Sequence, residues 1–257
     1  MLRVWGQMVP SEFRRPVPVD IALSMATLAL MQGKVRIAVL ILISHHGLLR
    51  PSEARAVCWK DFAFMDPEHN PYPNVYGVIN ITQAKTRRLR SHATHQYVTI
   101  ESKILAEFLQ TVVASFAPGR LHERVWPVDG QPLRDWWRGA LGSLGVSGFM
   151  WHGLRGGGAT DYWLRNQNLP ALRRRGRWAN EKTVERYVQE AVFVTCAAVI
   201  SPQVRQTLRR LSELAGSIFS DWPALCLPVE EVEGRPTEQP DPSDSDDTSG
   251  SEEARQV

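Results

Sequence analysis

Six side chains spread along this 257-residue chain have the right types to act together on a phosphodiester: Arg50, Lys85, His152, Arg155, Trp178 and Tyr187. They sit in four short motifs. Gly47-Leu48-Leu49-Arg50-Pro51-Ser52-Glu53 comes first, then Gln83-Ala84-Lys85-Thr86-Arg87. His152-Gly153-Leu154-Arg155 follows, and last Gly176-Arg177-Trp178, with Tyr187 nine residues after Trp178. Breaking a phosphodiester without a metal needs cations on the non-bridging oxygens, a nucleophile, and an acid for the leaving oxygen. Arginine suits the first task, because its fork matches two phosphate oxygens and stays charged. The chain offers a candidate for every task.

Each motif alone has a plain structural reading. Arg50 could cap a helix and pair with Glu53, and His152 could be a buried structural histidine. Lys85 has Arg87, Arg88 and Arg90 beside it, a basic edge able to contact phosphates without chemistry. Trp178 is one of nine tryptophans and Tyr187 one of five tyrosines. Tyr72, Tyr76 and Tyr97 lie in loop or strand contexts upstream, and Tyr162 reads as core of the helix after the HxxR box. Arg173, Arg174, Arg175 and Arg177 form a charge run that reads as a surface facing a DNA backbone. His92 and His95 are three apart with no cysteine or carboxylate cluster, so no metal site is expected there. Order and spacing raise the combination above its parts: 105 residues separate Arg50 from Arg155, and 32 separate Arg155 from Tyr187.

The elements that must position these residues read as mainly α with a small antiparallel β-hairpin. Asp20 is expected to cap a helix running to about Gln32. Residues 35–44 are apolar all round, the mark of a central helix, which Gly47 ends. Pro51 and Glu53 look like the first turn of another helix, reaching Val57. Val75–Ile81 and Thr94–Ile100 are β-branched and aromatic, two strands joined by the basic stretch Thr82–Ala93. Helices are expected at Glu101–Phe116 and Pro132–Leu144. After the glycines at 156–158, more follow through Leu164 and at Leu169–Arg175, Glu181–Val199 and Pro202–Ser220. Residues 1–18 read as a linker or N-terminal stub, 19–220 as one catalytic domain, and 221–257 as an acidic tail too polar to form a core.

Composition narrows the class. Hydrophobic residues make up 43% and charged residues 22%, as in a globular protein. The net charge of +3 hides a division. From Val229 to Val257 there are 10 acidic and 2 basic residues, leaving 28 basic and 17 acidic in the rest. A basic body suits a polyanion, and an acidic tail could compete with it for the same face. The three cysteines, Cys58, Cys196 and Cys226, form no CxxC pair, so a reducing, intracellular compartment is the expectation. The most apolar stretch, Ile21–Leu49, is interrupted by Lys34 and Arg36, which argues against a membrane span.

Over roughly residues 15–200 the four motifs, in this order, resemble the tyrosine recombinase (phage integrase) family. The texture of Leu154-Arg155-Gly156-Gly157-Gly158-Ala159-Thr160 and Gly176-Arg177-Trp178 is similar to recombinases of DIRS-type retroelements. The resemblance implies roles residue by residue. Arg50 and Arg155 clamp the scissile phosphate, and Tyr187 attacks phosphorus to give a 3′-phosphotyrosyl intermediate. Lys85 protonates the leaving 5′ oxygen, His152 assists, Trp178 donates its indole N–H, and Glu53 braces the site. It further implies double-stranded DNA as partner, no cofactor, and a homo-oligomer assembled on DNA. In such an oligomer residues 202–219 could supply a helix that docks on a neighbour. DNA recombination and integration by a mobile element follow, in the nucleus of a eukaryotic host or the cytoplasm of a bacterial one. Only 49 residues precede Arg50, too few for the helical DNA-clamping domain that the family places there. Two other readings stay open: a non-catalytic DNA-binding protein derived from a recombinase, and a type IB topoisomerase-like enzyme.

Overall fold

A computed structural model describes residues 15–66, 68–82, 96–188 and 200–225. Nine α-helices and one three-stranded sheet are seen among them. The helices are α1 (Val19–Met31), α2 (Val35–His46), α3 (Pro51–Ala56), α4 (Lys103–Arg120), α5 (Gln131–Ser143), α6 (Gly153–Asn166), α7 (Leu169–Arg175), α8 (Glu181–Tyr187) and α9 (Pro202–Leu225). The strands are β1 (Phe62–Phe64), β2 (Gly77–Ile81) and β3 (Gln96–Ile100), antiparallel in the order β1-β2-β3.

Helix α2 is the centre, as its all-round apolar sequence requires. Ile37 to Ile43 are all buried, and each fully buried branched side chain contributes roughly 1.5–3 kcal/mol. Its interruption, Arg36, is absorbed without reaching solvent. The guanidinium donates to the carbonyls of Arg124 and Val125 at 3.1 and 3.2 Å and pairs with Glu123 at 2.7 Å. It also lies 4.8 Å from the ring centre of Phe116. In the sheet, Ile79 and Ile81 of β2 and Val98 and Ile100 of β3 face this core, with Ile79 opposite Val98. The alternation visible in the sequence is the cause.

Helix α6 carries Arg155 and lies unusually close to its neighbours. A Cβ on Gly157 would run into the backbone of Val17, and one on Gly158 into the carbonyl of His45. Each glycine costs a helix about 0.5–1 kcal/mol relative to alanine. Here the missing side chains let α6 seat directly on the end of α2 and on the segment before α1. That segment, read from sequence as a linker, is in part core: Val17 is fully buried and donates its N–H to Gly153 O at 2.9 Å.

Some features differ from expectation. Pro18, not Asp20, occupies the cap position of α1, and no side chain caps that end. Strand β1 was not anticipated, being only three residues long. Helix α9 runs past Ser220 to Leu225 and packs on α1 and α4 of its own chain. Ser24 and Thr27 donate their hydroxyls to the carbonyls of Leu208 and Leu211 at 2.8 and 3.2 Å, and Phe108 meets Phe219 at 4.9 Å. One face of the helix read as a candidate for docking on a neighbour is thus packed within its own chain.

Candidate active site

The turn leaving α2 builds the first half of the site. Gly47 closes the helix, Leu48 adopts a left-handed conformation (φ 50°), and Arg50 becomes the residue before α3. Pro51 at the first helical position needs no N–H there. Glu53, one turn in, accepts the Arg50 backbone N–H at 2.9 Å and the Arg50 guanidinium at 2.8 Å. The sequence reading that Arg50 pairs with Glu53 is thus compatible with a site role, since the same carboxylate reaches further.

Arg155, in the first turn of α6, is buried although it is an arginine, with 1% of its surface exposed. Its two terminal nitrogens donate to Leu48 O at 2.5 Å and Gly176 O at 2.7 Å, and Nη1 lies 3.5 Å from Glu53. Its Nε has no hydrogen-bond partner among the described residues. Burial, then the nearby Arg50, lowers its pKa to about 10, so it stays charged at neutral pH. Above the guanidinium lie two rings: Trp178 at 4.8 Å and Tyr187 at 5.2 Å from Cζ, themselves 5.0 Å apart. Trp178 is buried, and its indole N–H has no hydrogen-bond partner among the described residues. Tyr187 ends α8, and its carbonyl accepts the Thr160 hydroxyl at 3.1 Å, which ties that end to α6. A small apolar cluster of Leu48, Ala159, Leu172, Trp178 and Val184 supports the group from below.

Glu53 is the hinge of the electrostatics. Burial alone would raise its pKa, but Arg177, Arg155 and Arg50 outweigh it, and the carboxyl is lowered to about 2. Among the described residues three guanidinium groups converge on this one carboxylate, so the cluster carries surplus positive charge. Phosphate oxygens are the complement of such a surplus.

Arg50, Glu53, Arg155, Trp178 and Tyr187 are brought together from four separate segments. His152 is half-buried immediately before α6, three residues ahead of Arg155. Lys85, with Arg87, Arg88 and Arg90, lies outside the described residues. The arginine run divides, contrary to its reading as one DNA-facing surface. Arg174 is exposed, and Arg173 is partly exposed beside Glu181. Arg175 turns inward to Glu101 and to His46 O, the latter at 2.8 Å. Arg177 is buried against Glu53 at 2.8 Å. Acceptors inside the fold outcompete solvent for these two, so they are corrected from surface contacts to internal ones. Nothing in the local sequence announces the inward turn. Among the described residues no group of three or more potential metal ligands is found, and no helix is long and apolar enough to cross a membrane.

No protein-family model and no curated protein matches the chain in sequence. Solved structures do match in three dimensions. The XerH site-specific recombinase bound to palindromic difH substrate, a post-cleavage complex, aligns with a TM-score of 0.51 at 14% identity, covering 73% of this chain and 54% of that one. XerA recombinase aligns at 0.50 and 13% identity, covering 74% and 64%. The XerH pre-cleavage complex with difH aligns at 0.50 and 14% identity, covering 74% and 55%. The chain therefore has the fold of a tyrosine recombinase catalytic domain, and it spans less than two thirds of the length of these proteins.

Proposed function

We propose that this chain cleaves and rejoins DNA strands through a 3′-phosphotyrosyl intermediate on Tyr187, in site-specific recombination. The observation that carries the reading is the stacking of the Tyr187 ring over the Arg155 guanidinium, beside the Trp178 N–H, which has no partner among the described residues. A phenol, a fixed cation and an indole donor are then gathered in one cluster of a recombinase-like fold. The Tyr187 oxygen bonds to phosphorus, its phenolic proton passing to His152 as general base, while the bond to the 5′ oxygen breaks. Arg50 and Arg155 balance charge on the non-bridging oxygens, and Trp178 donates to one of them. Lys85, by its motif, supplies the proton to the leaving oxygen, with His152 assisting. The phosphotyrosine conserves the ester energy, so rejoining needs no external energy source.

One observation favours a second reading, a DNA-binding protein without catalysis: both terminal nitrogens of Arg155 are already held by backbone carbonyls. A pool of duplexes with random sequence around a nick in the scissile strand separates the two. Cleavage next to a nick loses its short product and traps the enzyme covalently. The expected result is a denaturant-resistant adduct mapped to Tyr187 by mass spectrometry, absent in Tyr187→Phe while DNA affinity is retained. Binding without adduct would select the second reading, and relaxation of supercoiled plasmid without strand exchange would point to a topoisomerase-like enzyme.

A further inference from the structure

Arg177 is the buried charge for which the proposed chemistry has no direct use. It has a left-handed backbone conformation (φ 57°), which costs a non-glycine residue of order 1–3 kcal/mol and persists only where its surroundings impose it. Its side chain is 6% exposed, so it does not meet DNA in this arrangement. Nη2 donates to Glu53 Oε2 at 2.8 Å and to Leu48 O at 3.2 Å, and Nη1 donates to Gly47 O at 3.2 Å. Leu48 O is the same carbonyl that receives Arg155 Nη1, and Glu53 the same carboxylate that receives Arg50. Among the cations facing Glu53, Arg177 has the largest effect on its ionisation, ahead of Arg155 and Arg50.

We infer that Arg177 is a positioning residue for the cleavage site, a guanidinium fork that locks the Gly47–Glu53 turn onto the loop carrying Trp178 and so sets where Arg50 and Arg155 lie. The inference rests on the function proposed above. Its next neighbour along the chain is Trp178, so one backbone step joins the fork to the open indole donor. Each of its two terminal nitrogens binds an oxygen of that turn, which a fork does and a point charge on a flexible stem does less well.

The test uses Arg177→Met, which keeps the stem without the charge, and Arg177→Lys, which keeps the charge without the fork. Both are run as full-length protein, scaled to the folded fraction by circular dichroism, on the pool of nicked duplexes. Adduct formation at saturating DNA should fall about 100-fold in Arg177→Met, the scale of an ångström-level misplacement, with DNA affinity within twofold of the parent. Arg177→Lys should recover about tenfold of that loss, since the stabilising charge returns without the planar fork. Carbon-13 NMR of the Glu53 carboxyl should show its titration moving up from about 2 in Arg177→Met. Adduct formation within twofold of the parent would overturn the inference, as would a loss of affinity that matches the loss of rate. If the parent protein forms no adduct, the function fails. The Glu53 titration then decides the structural claim alone, and an unmoved Glu53 refutes it.

Discussion

The large apolar cluster around α2 and the small one beneath Tyr187 differ in what accompanies the hydrocarbon. In the large cluster the buried cation, Arg36, has two carbonyls and Glu123 around it, and Ser24 and Thr27 spend their hydroxyls on α9. In the small cluster Arg155 and Arg177 each keep an Nε without a partner among the described residues, and so does the Trp178 indole. Two of the three described non-glycine residues in left-handed backbone, Leu48 and Arg177, stand there too. Trp59 and Trp151 of the large cluster also keep indole N–H groups without a partner among the described residues. What distinguishes the small cluster is that such atoms sit there on buried guanidinium groups beside strained backbone.

The contrast breaks most visibly in the large cluster. Ile41→Ala removes a fully buried side chain and should destabilise the fold by about 2–5 kcal/mol in urea unfolding. Adduct formation per folded molecule should not change, because no contact of the site is touched. A cost below about 1 kcal/mol would mean that α2 is not the load-carrying centre described.

Acid should separate the regions by pH. Burial, helped by Arg165, lowers the His45 pKa from 6.5 to about 4, and burial with Arg175 lowers that of His46 to about 3. An unfolded histidine binds its proton near 6.5, so the stability from keeping each one neutral is complete above 6.5 and is lost as pH falls through 4 and 3 respectively. Glu53 acts lower: its contribution is complete above 4.5 and is lost only as pH falls toward about 2. Unfolding free energy should therefore begin to fall below pH 6.5, and His46→Gln should flatten that first descent while leaving the part below 4.5. A descent starting only below 4.5 in the parent would place the histidines in water.

The smallest effect on stability is expected at Trp178→Phe. The indole N–H is buried without a partner among the described residues, so its loss forfeits no bond seen there, and the stability change should stay within about 1 kcal/mol. Adduct formation should nevertheless fall by about tenfold or more if the proposed function holds, because the donor proposed for the phosphate is gone. A stability loss of several kcal/mol with unchanged cleavage would return Trp178 to the plain core.

How far these features could be read in advance follows from the range of the forces involved. The grouping of Arg50, Glu53, Arg155, Trp178 and Tyr187 was legible through the family resemblance that the motifs, in their order, carry. The centrality of α2 and the pairing of β2 with β3 were legible from hydropathy with period. Arg175 and Arg177 were misread because a run of arginines looks solvated, and only tertiary acceptors such as Glu53 and His46 O turn two of them inward. The home seat of α9 was equally hidden. Its partners Ser24 and Thr27 lie nearly two hundred residues upstream, as ordinary small polar residues of a buried helix.

The close seating of α6 has a mechanical consequence. With no side chain on Gly157 to act as a cushion, the strand of chain at Arg15–Pro18 rests directly on the helix that bears Arg155, and Val17 is fastened to Gly153 at its first turn. A domain or tag joined ahead of Arg15 thus has leverage on the helix that bears Arg155, and tension or release at that tether would be passed directly to that helix.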